Sequence, residues 1–127
     1  MIAADTSTWI AFLEGATGED VDALDQALED RQVLMVPVVL TELLSDPKLP
    51  SGIAEILAEI PLMEIGAGYW HRSGALRAKV LSNRRKARLG VALIAQACVD
   101  GKVPLLTRDR DFRAFAETAK LDVVLGG

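Results

Sequence analysis

The stretch Met1-Ile-Ala-Ala-Asp5-Thr-Ser-Thr-Trp-Ile10 decides how the rest of the chain is read. Four apolar residues end in a carboxylate, hydroxyl residues follow at once, and an apolar helical pattern then begins. This pattern predicts a short buried strand with Asp5 at its carboxyl end, then a helix capped by Thr6 or Ser7. In an open α/β sheet, ligands and catalytic groups gather at the carboxyl ends of strands. The alternative is that Asp5 only caps the helix. The choice turns on whether other acids converge on it.

Working outward, the first helix should cover residues 8–13, and residues 15–18 should form a loop. Apolar residues Val21, Leu24, Ala27 and Leu28 predict an amphipathic helix over 19–31 with its acids on the outer face. Residues 33–36 read as a second buried strand, and Pro37 suits the first turn of a helix over 38–44. A helix over 50–60 and a strand over 62–65 follow. After Gly66 and Gly68 a long helix should run from 69 to 85, with Leu76, Val80 and Trp70 available to its inner face. Residues 91–100 are nearly all apolar and predict a buried helix, with Gly101 as its C-terminal cap. Residues 104–107 and 121–125 read as strands on either side of a helix over 108–119. Strands alternating with helices through short connections imply a parallel sheet covered on both faces, in one α/β domain spanning 1–127.

A chain of 127 residues can bury a core without metal or disulfide staples. Cys98 is the only cysteine, so no intrachain disulfide forms, and a reducing cytoplasm is expected. The first residues lack the basic flank of a signal peptide, and no apolar run approaches membrane-spanning length. The net charge of −4 argues against nucleic-acid binding by bulk attraction. Its distribution is uneven, however. Between Glu64 and Asp100 there is no acid, and that interval holds Arg72, Arg77, Lys79, Arg84, Arg85, Lys86 and Arg88. An acidic body with one basic segment suits a polyanion-binding surface beside an acidic site; a solvated helix face is the plainer reading.

Besides Asp5, three acids stand out. Glu42 interrupts the apolar stretch Val39-Leu-Thr-Glu-Leu-Leu44, and Asp109 and Asp111 follow a strand in Leu106-Thr-Arg-Asp-Arg-Asp-Phe112. Converging carboxylates repel one another and raise their own pKa values unless a cation is present. Mg²⁺ suits such a site, because it prefers oxygen ligands and keeps waters that can attack a phosphodiester. No serine–histidine or cysteine–histidine nucleophile is credible, since His71, the only histidine, reads as a surface residue. Trp9 and Phe112 read as core residues rather than base-stacking ones.

Four segments in order, Asp5-Thr-Ser-Thr-Trp-Ile, Val39-Leu-Thr-Glu-Leu-Leu, Ala92-Leu-Ile-Ala and Leu106-Thr-Arg-Asp-Arg-Asp-Phe, resemble the motifs of the PIN-domain family. Within it the chain is similar to the small VapC-type toxins of bacterial toxin–antitoxin pairs. The resemblance implies a PIN-like doubly wound parallel sheet flanked by helices, and an endoribonuclease dependent on Mg²⁺ or Mn²⁺. It further implies a homodimer and a cognate antitoxin that blocks the site. Asp5, Glu42 and Asp109 would be metal ligands, and Asp111 an outer or alternate one. Thr6, Ser7 and Thr107 would hold carboxylates or the metal's waters by hydrogen bonds. Arg84, Arg85, Lys86 and Arg88 are the candidates for RNA-backbone contact, because phosphate contacts need positive charge rather than fixed geometry. Arg108 and Arg110 flank the site and would bind RNA, or pair with its acids or an antitoxin.

One position departs from the family pattern. Before Ala-Leu-Ile-Ala the family usually has an acid, and here stands Val91. Valine fits the apolar stripe of Val91, Ile94, Ala95 and Cys98. Yet it sits at a helix start, where an acid is favoured and a β-branched residue is a mediocre choice. Asp and Val codons differ by one base. The expectation is an inactivated form, with Val91 where an aspartate belongs, weak metal binding and reduced RNA cleavage. A catalytically silent PIN-like module that binds RNA or protein is the competing reading. A phospho-accepting receiver domain is disfavoured, because a single acid follows the first strand and Leu62-Met-Glu-Ile65 offers no acceptor aspartate.

Overall fold

The chain opens with β1 (Ala3–Ala4), which is fully buried and leads through Asp5 into helix α1 (Thr6–Leu13). The computed structural model describes residues 1–126, so Gly127, the last residue of the expected domain, lies outside the described residues. Next come α2 (Glu19–Glu29), α3 (Pro37–Leu44), α4 (Ser51–Glu59), α5 (Tyr69–Ser82) and α6 (Leu89–Gly101). The order then closes with β2 (Leu105–Thr107), α7 (Phe112–Thr118) and β3 (Val123–Leu125).

β1 pairs in parallel with β2, and β2 pairs in parallel with β3. On the other side of β1, Ile2 bridges Val33, and Met35 bridges Leu62, again in parallel. The order across the sheet is therefore Leu62, residues 33–35, β1, β2, β3. From β1 the chain first builds to one side, then returns to the other, so its direction of winding reverses between β1 and β2. That is the switch point of a doubly wound sheet, where a crevice opens beyond the strand ends. Asp5 follows β1 and Asp109 lies just past β2, so the topology brings both to this crevice.

Two expected strands contract to isolated bridges: residues 33–36 make two, through Val33 and Met35, and residues 62–65 make one, through Leu62. Val36 is already the N-cap of α3 and Pro37 its first residue, which leaves only Val33 and Met35 to pair. Met63 donates its N–H to the Met35 carbonyl at 2.9 Å, after which Glu64 and Ile65 turn to the surface. Helix limits also move. α5 stops at Ser82 rather than 85, because Arg84 adopts a left-handed φ of 58°. α7 begins at Phe112 rather than 108, because residues 108–111 are used in a side-chain-braced turn described below.

A single core lies under both helical layers, with Trp9, Tyr69, Phe112 and Phe115 among its largest buried side chains. Each such burial contributes roughly 1.5–3 kcal/mol before conformational entropy is counted. On α5 the inward residues are Tyr69, Ser73, Leu76 and Val80, a spacing of four, three and four. Trp70 lies one residue off that stripe and is 63% exposed, so the inner face belongs to Tyr69 instead. The Tyr69 hydroxyl donates to the Leu93 carbonyl, and Arg72 grips both carboxylate oxygens of Asp100, fixing α5 to α6.

Candidate active site

Asp5 is 3% exposed and is itself the N-cap of α1. Its Oδ1 accepts from the Thr8 N–H at 3.1 Å and from the Ser7 hydroxyl at 2.7 Å. The expected cap, Thr6 or Ser7, is thus displaced by one or two residues, because the acid at the strand end already reaches the free N–H groups. Capping and a place in the crevice are not alternatives for Asp5; it has both. Burial pushes its carboxyl above the ordinary value of 3.8. Hydrogen bonds from Ser7, Thr8 and Thr107 pull it back, and the negative charge of Asp109 adds to the rise.

The hydroxyl residues tie the acids to the scaffold. Thr6 donates to Glu42 Oε1 at 2.8 Å, linking α1 to an exposed carboxylate on α3. The Arg108 N–H donates to Ser7 Oγ at 3.0 Å, which fixes the chain after β2 against the start of α1. The Asp109 N–H donates to Thr107 Oγ1 at 2.9 Å, and the Asp111 N–H to Asp109 Oδ1 at 2.9 Å. These bonds replace the missing first turn of α7 and hold Asp109 in the turn after β2.

Asp5, Glu42 and Asp109 line one cavity of about 420 Å³, together with Thr6, Ser7, Arg88 and Val91. Asp111 is not part of its lining; its Oδ2 is held by Arg88 at 3.1 Å and by Lys86 at 3.5 Å. Arg88 also pairs with Asp109 Oδ2. Val91 is 6% exposed, in the first turn of α6, and belongs both to the core stripe and to the cavity wall. The three carboxylates have the right chemistry for a hard divalent cation. Their arrangement does not complete a site: among the described residues no three His, Cys, Asp or Glu side chains form a group able to hold one metal ion. An apolar wall and a guanidinium stand where further oxygen ligands are needed, so the set as it stands does not fit a resident cation.

The sequence model of the PIN domain matches residues 2–118. The chain belongs to the PIN-domain family. Its fold is shared by solved structures at low sequence identity. The first is VapBC-5 from Mycobacterium tuberculosis, a member of the VapBC family of toxin–antitoxin systems, with a TM-score of 0.70 and 20% identity. That match covers 98% of this chain and 97% of the other. FitAcB from Neisseria gonorrhoeae matches with a TM-score of 0.67 and 19% identity, over 97% and 96% of the two chains. FitAB bound to an IR36 DNA fragment matches with a TM-score of 0.69 and 18% identity, over 98% and 94%. No curated protein sequence matches the chain.

Two features of this PIN domain were not visible in its sequence. Asp20 was expected on the outer face of α2, yet it is fully buried. It accepts from Thr8 Oγ1 and from Arg108 Nε, each at 2.8 Å. Burial pushes the Asp20 carboxyl up, but the Arg108 guanidinium and the Thr8 hydroxyl outweigh it and hold the group below 3.8. Gly18 allows this pair: its φ is 146°, and a Cβ there would meet Arg108 Nη2 at 2.6 Å and Asp20 Oδ1 at 2.7 Å. The glycine itself was the available signal, but nothing near it in sequence named Arg108 as the partner. The second feature is Arg88, read as an RNA-backbone contact and found on the cavity wall. His71 is exposed, Trp9 and Phe112 are core, and burial pushes the Cys98 thiol up to about 12, so it stays protonated and inert.

Proposed function

We propose that this PIN domain is the toxin of a type II toxin–antitoxin pair, built as a Mg²⁺- or Mn²⁺-dependent endoribonuclease and impaired at Val91. The observation that carries this reading is one cavity, at the switch point of the sheet, walled by Asp5, Glu42, Asp109 and Val91. Asp5, Glu42 and Asp109 are the carboxylates that would hold the metal and act in catalysis once an acid stands at position 91, with Asp111 outside them. Thr6, Ser7 and Thr107 hold their orientation. Arg84, Arg85 and Lys86 serve the RNA backbone, while Arg88 is engaged with Asp109 and Asp111. The neighbouring VapBC structure is a toxin–antitoxin system by description, which supports a cognate antitoxin as partner. A homodimer acting in the cytoplasm completes the proposal; no helix of the described residues is long and apolar enough to cross a membrane.

The test is Val91→Asp, assayed for RNA cleavage with Mg²⁺ or Mn²⁺ and with a chelator. Groups that merely support metal ligands are worth about 10- to 100-fold in affinity or activity, so a restored ligand should raise metal-dependent cleavage by at least about 100-fold. No rise would remove the reading of Val91 as a lost ligand. The second reading, a silent PIN-like module that binds RNA or protein, draws on the ion pairs that occupy Asp109 and Asp111. RNA binding without cleavage in Val91→Asp would favour it.

A further inference from the structure

Asp109 and Asp111 lie close enough to share one cation, and the chain supplies that cation itself. Arg88 Nη2 contacts Asp109 Oδ2 and, at 3.1 Å, Asp111 Oδ2. The other oxygen of Asp109 accepts from the Asp111 N–H, so both oxygens of this carboxylate are already engaged. Lys86 adds a second positive charge at 3.5 Å from Asp111. Arg88 is the N-cap residue of α6, three positions before Val91, and it shares the cavity wall with Asp5, Glu42 and Asp109.

We propose that Arg88 is a built-in counter-ion of the carboxylate site, which clamps Asp109 and Asp111 and competes with a divalent cation for them. The inference rests on the reading of this cavity as a divalent-metal nuclease site, and names how that site is kept closed. Two neighbouring carboxylates repel each other, and a positive charge placed between them offsets that repulsion. A guanidinium suits the task, because its planar fork of N–H donors serves two acids at once and never loses its charge. The Arg88 side chain is 53% exposed, so the clamp can swing away when a stronger cation arrives. Val91 tilts the balance toward the clamp. With no carboxylate on the α6 side of the cavity, a divalent ion finds too few oxygens, whereas the tethered monovalent arginine needs only the two it already holds.

The experiment compares the full chain with R88Q, V91D and V91D/R88Q, using Mn²⁺ alone as the probe and no RNA. Mn²⁺ affinity is measured by water proton relaxation, and melting temperature is followed in chelator and in Mn²⁺. Removing a unit positive charge beside a divalent ion should tighten Mn²⁺ binding about tenfold or more, so V91D/R88Q should bind that much more strongly than V91D. In chelator R88Q should melt below the unaltered chain, and in the V91D background Mn²⁺ should restore the loss. If V91D binds Mn²⁺ and R88Q leaves that affinity unchanged or weaker, the clamp is refuted while the nuclease reading stands. If neither V91D nor the double variant binds Mn²⁺, both readings fall together. Weaker RNA binding by R88Q with unchanged Mn²⁺ affinity would make Arg88 a phosphate contact and also refute the clamp.

Discussion

Asp5 and Asp20 are both buried acids near one end of the sheet, and their environments push them in opposite directions. A carboxyl raised by folding binds its proton more tightly in the folded state, so stability falls as pH climbs from 3.8 towards its folded value. Asp20 is held below 3.8, so its contribution is full above that pH and is lost as pH falls through its lower folded value. Thermal melts from acid to neutral pH should separate the two. Asp5→Asn should stabilise the chain by about 1 kcal/mol at neutral pH, the scale on which relief of a functional site acts, and should flatten the fall above 3.8. Asp20→Asn should destabilise at neutral pH and flatten the loss below 3.8 instead. An Asp5→Asn chain that melts lower at neutral pH would show that the hydrogen bonds made to the charged carboxylate outweigh the cost of burying it. Asp5 was legible because its place at a strand end is a local fact. Asp20 was not, since its burial depends on Arg108, separated from it by 88 positions.

At the scale of elements, apolar periodicity located every helix, while the strands were the weaker reading. A helix carries its own hydrogen bonds, so its pattern is enough; a two-residue strand exists only through neighbours elsewhere in the chain. Residues 33–36 show the limit: their composition is that of a strand, but Val36 and Pro37 commit the backbone to α3. The end of α6 shows another. Gly101 was expected as the left-handed cap, yet it is the last helical residue and Lys102 takes the left-handed conformation, with φ 54°. At Gly101 a Cβ would stand 2.6 Å from the Met63 Cε atom, so a larger residue there would push the end of that flexible side chain aside. It follows that Lys102→Gly should raise stability by about 0.5–1 kcal/mol in a urea titration, by removing the cost of a side chain at positive φ. An unchanged midpoint would mean that the lysine side chain compensates for its backbone.

For the whole molecule the charge asymmetry changes meaning once the chain is folded. The basic interval between Glu64 and Asp100 read as a solvated face or a polyanion-binding surface, but much of it is matched by acids that lie outside it in sequence. Arg72 pairs with Asp100, Arg85 with Glu117, Lys86 with Asp111, and Arg88 with Asp109 and Asp111. Among the described residues Lys79 and Arg84 have no ion-pair partner, and both are exposed. Pairings of this kind, from α5 and the residues that follow it to α6, α7 or the turn before α7, obey no local period, so no window of sequence displays them. They sort the basic residues into those already neutralised and those open to phosphate. RNA affinity measured in chelator across a salt series therefore discriminates them. Arg84→Ala should weaken binding to a single-stranded oligonucleotide and reduce the slope of log K against log salt by about 0.7, the value of one phosphate contact. Arg72→Ala, which removes a residue engaged with Asp100, should leave that slope where it was. Equal losses from both variants would mean that RNA senses only the summed field of the basic segment, and that the ion pairs open on binding.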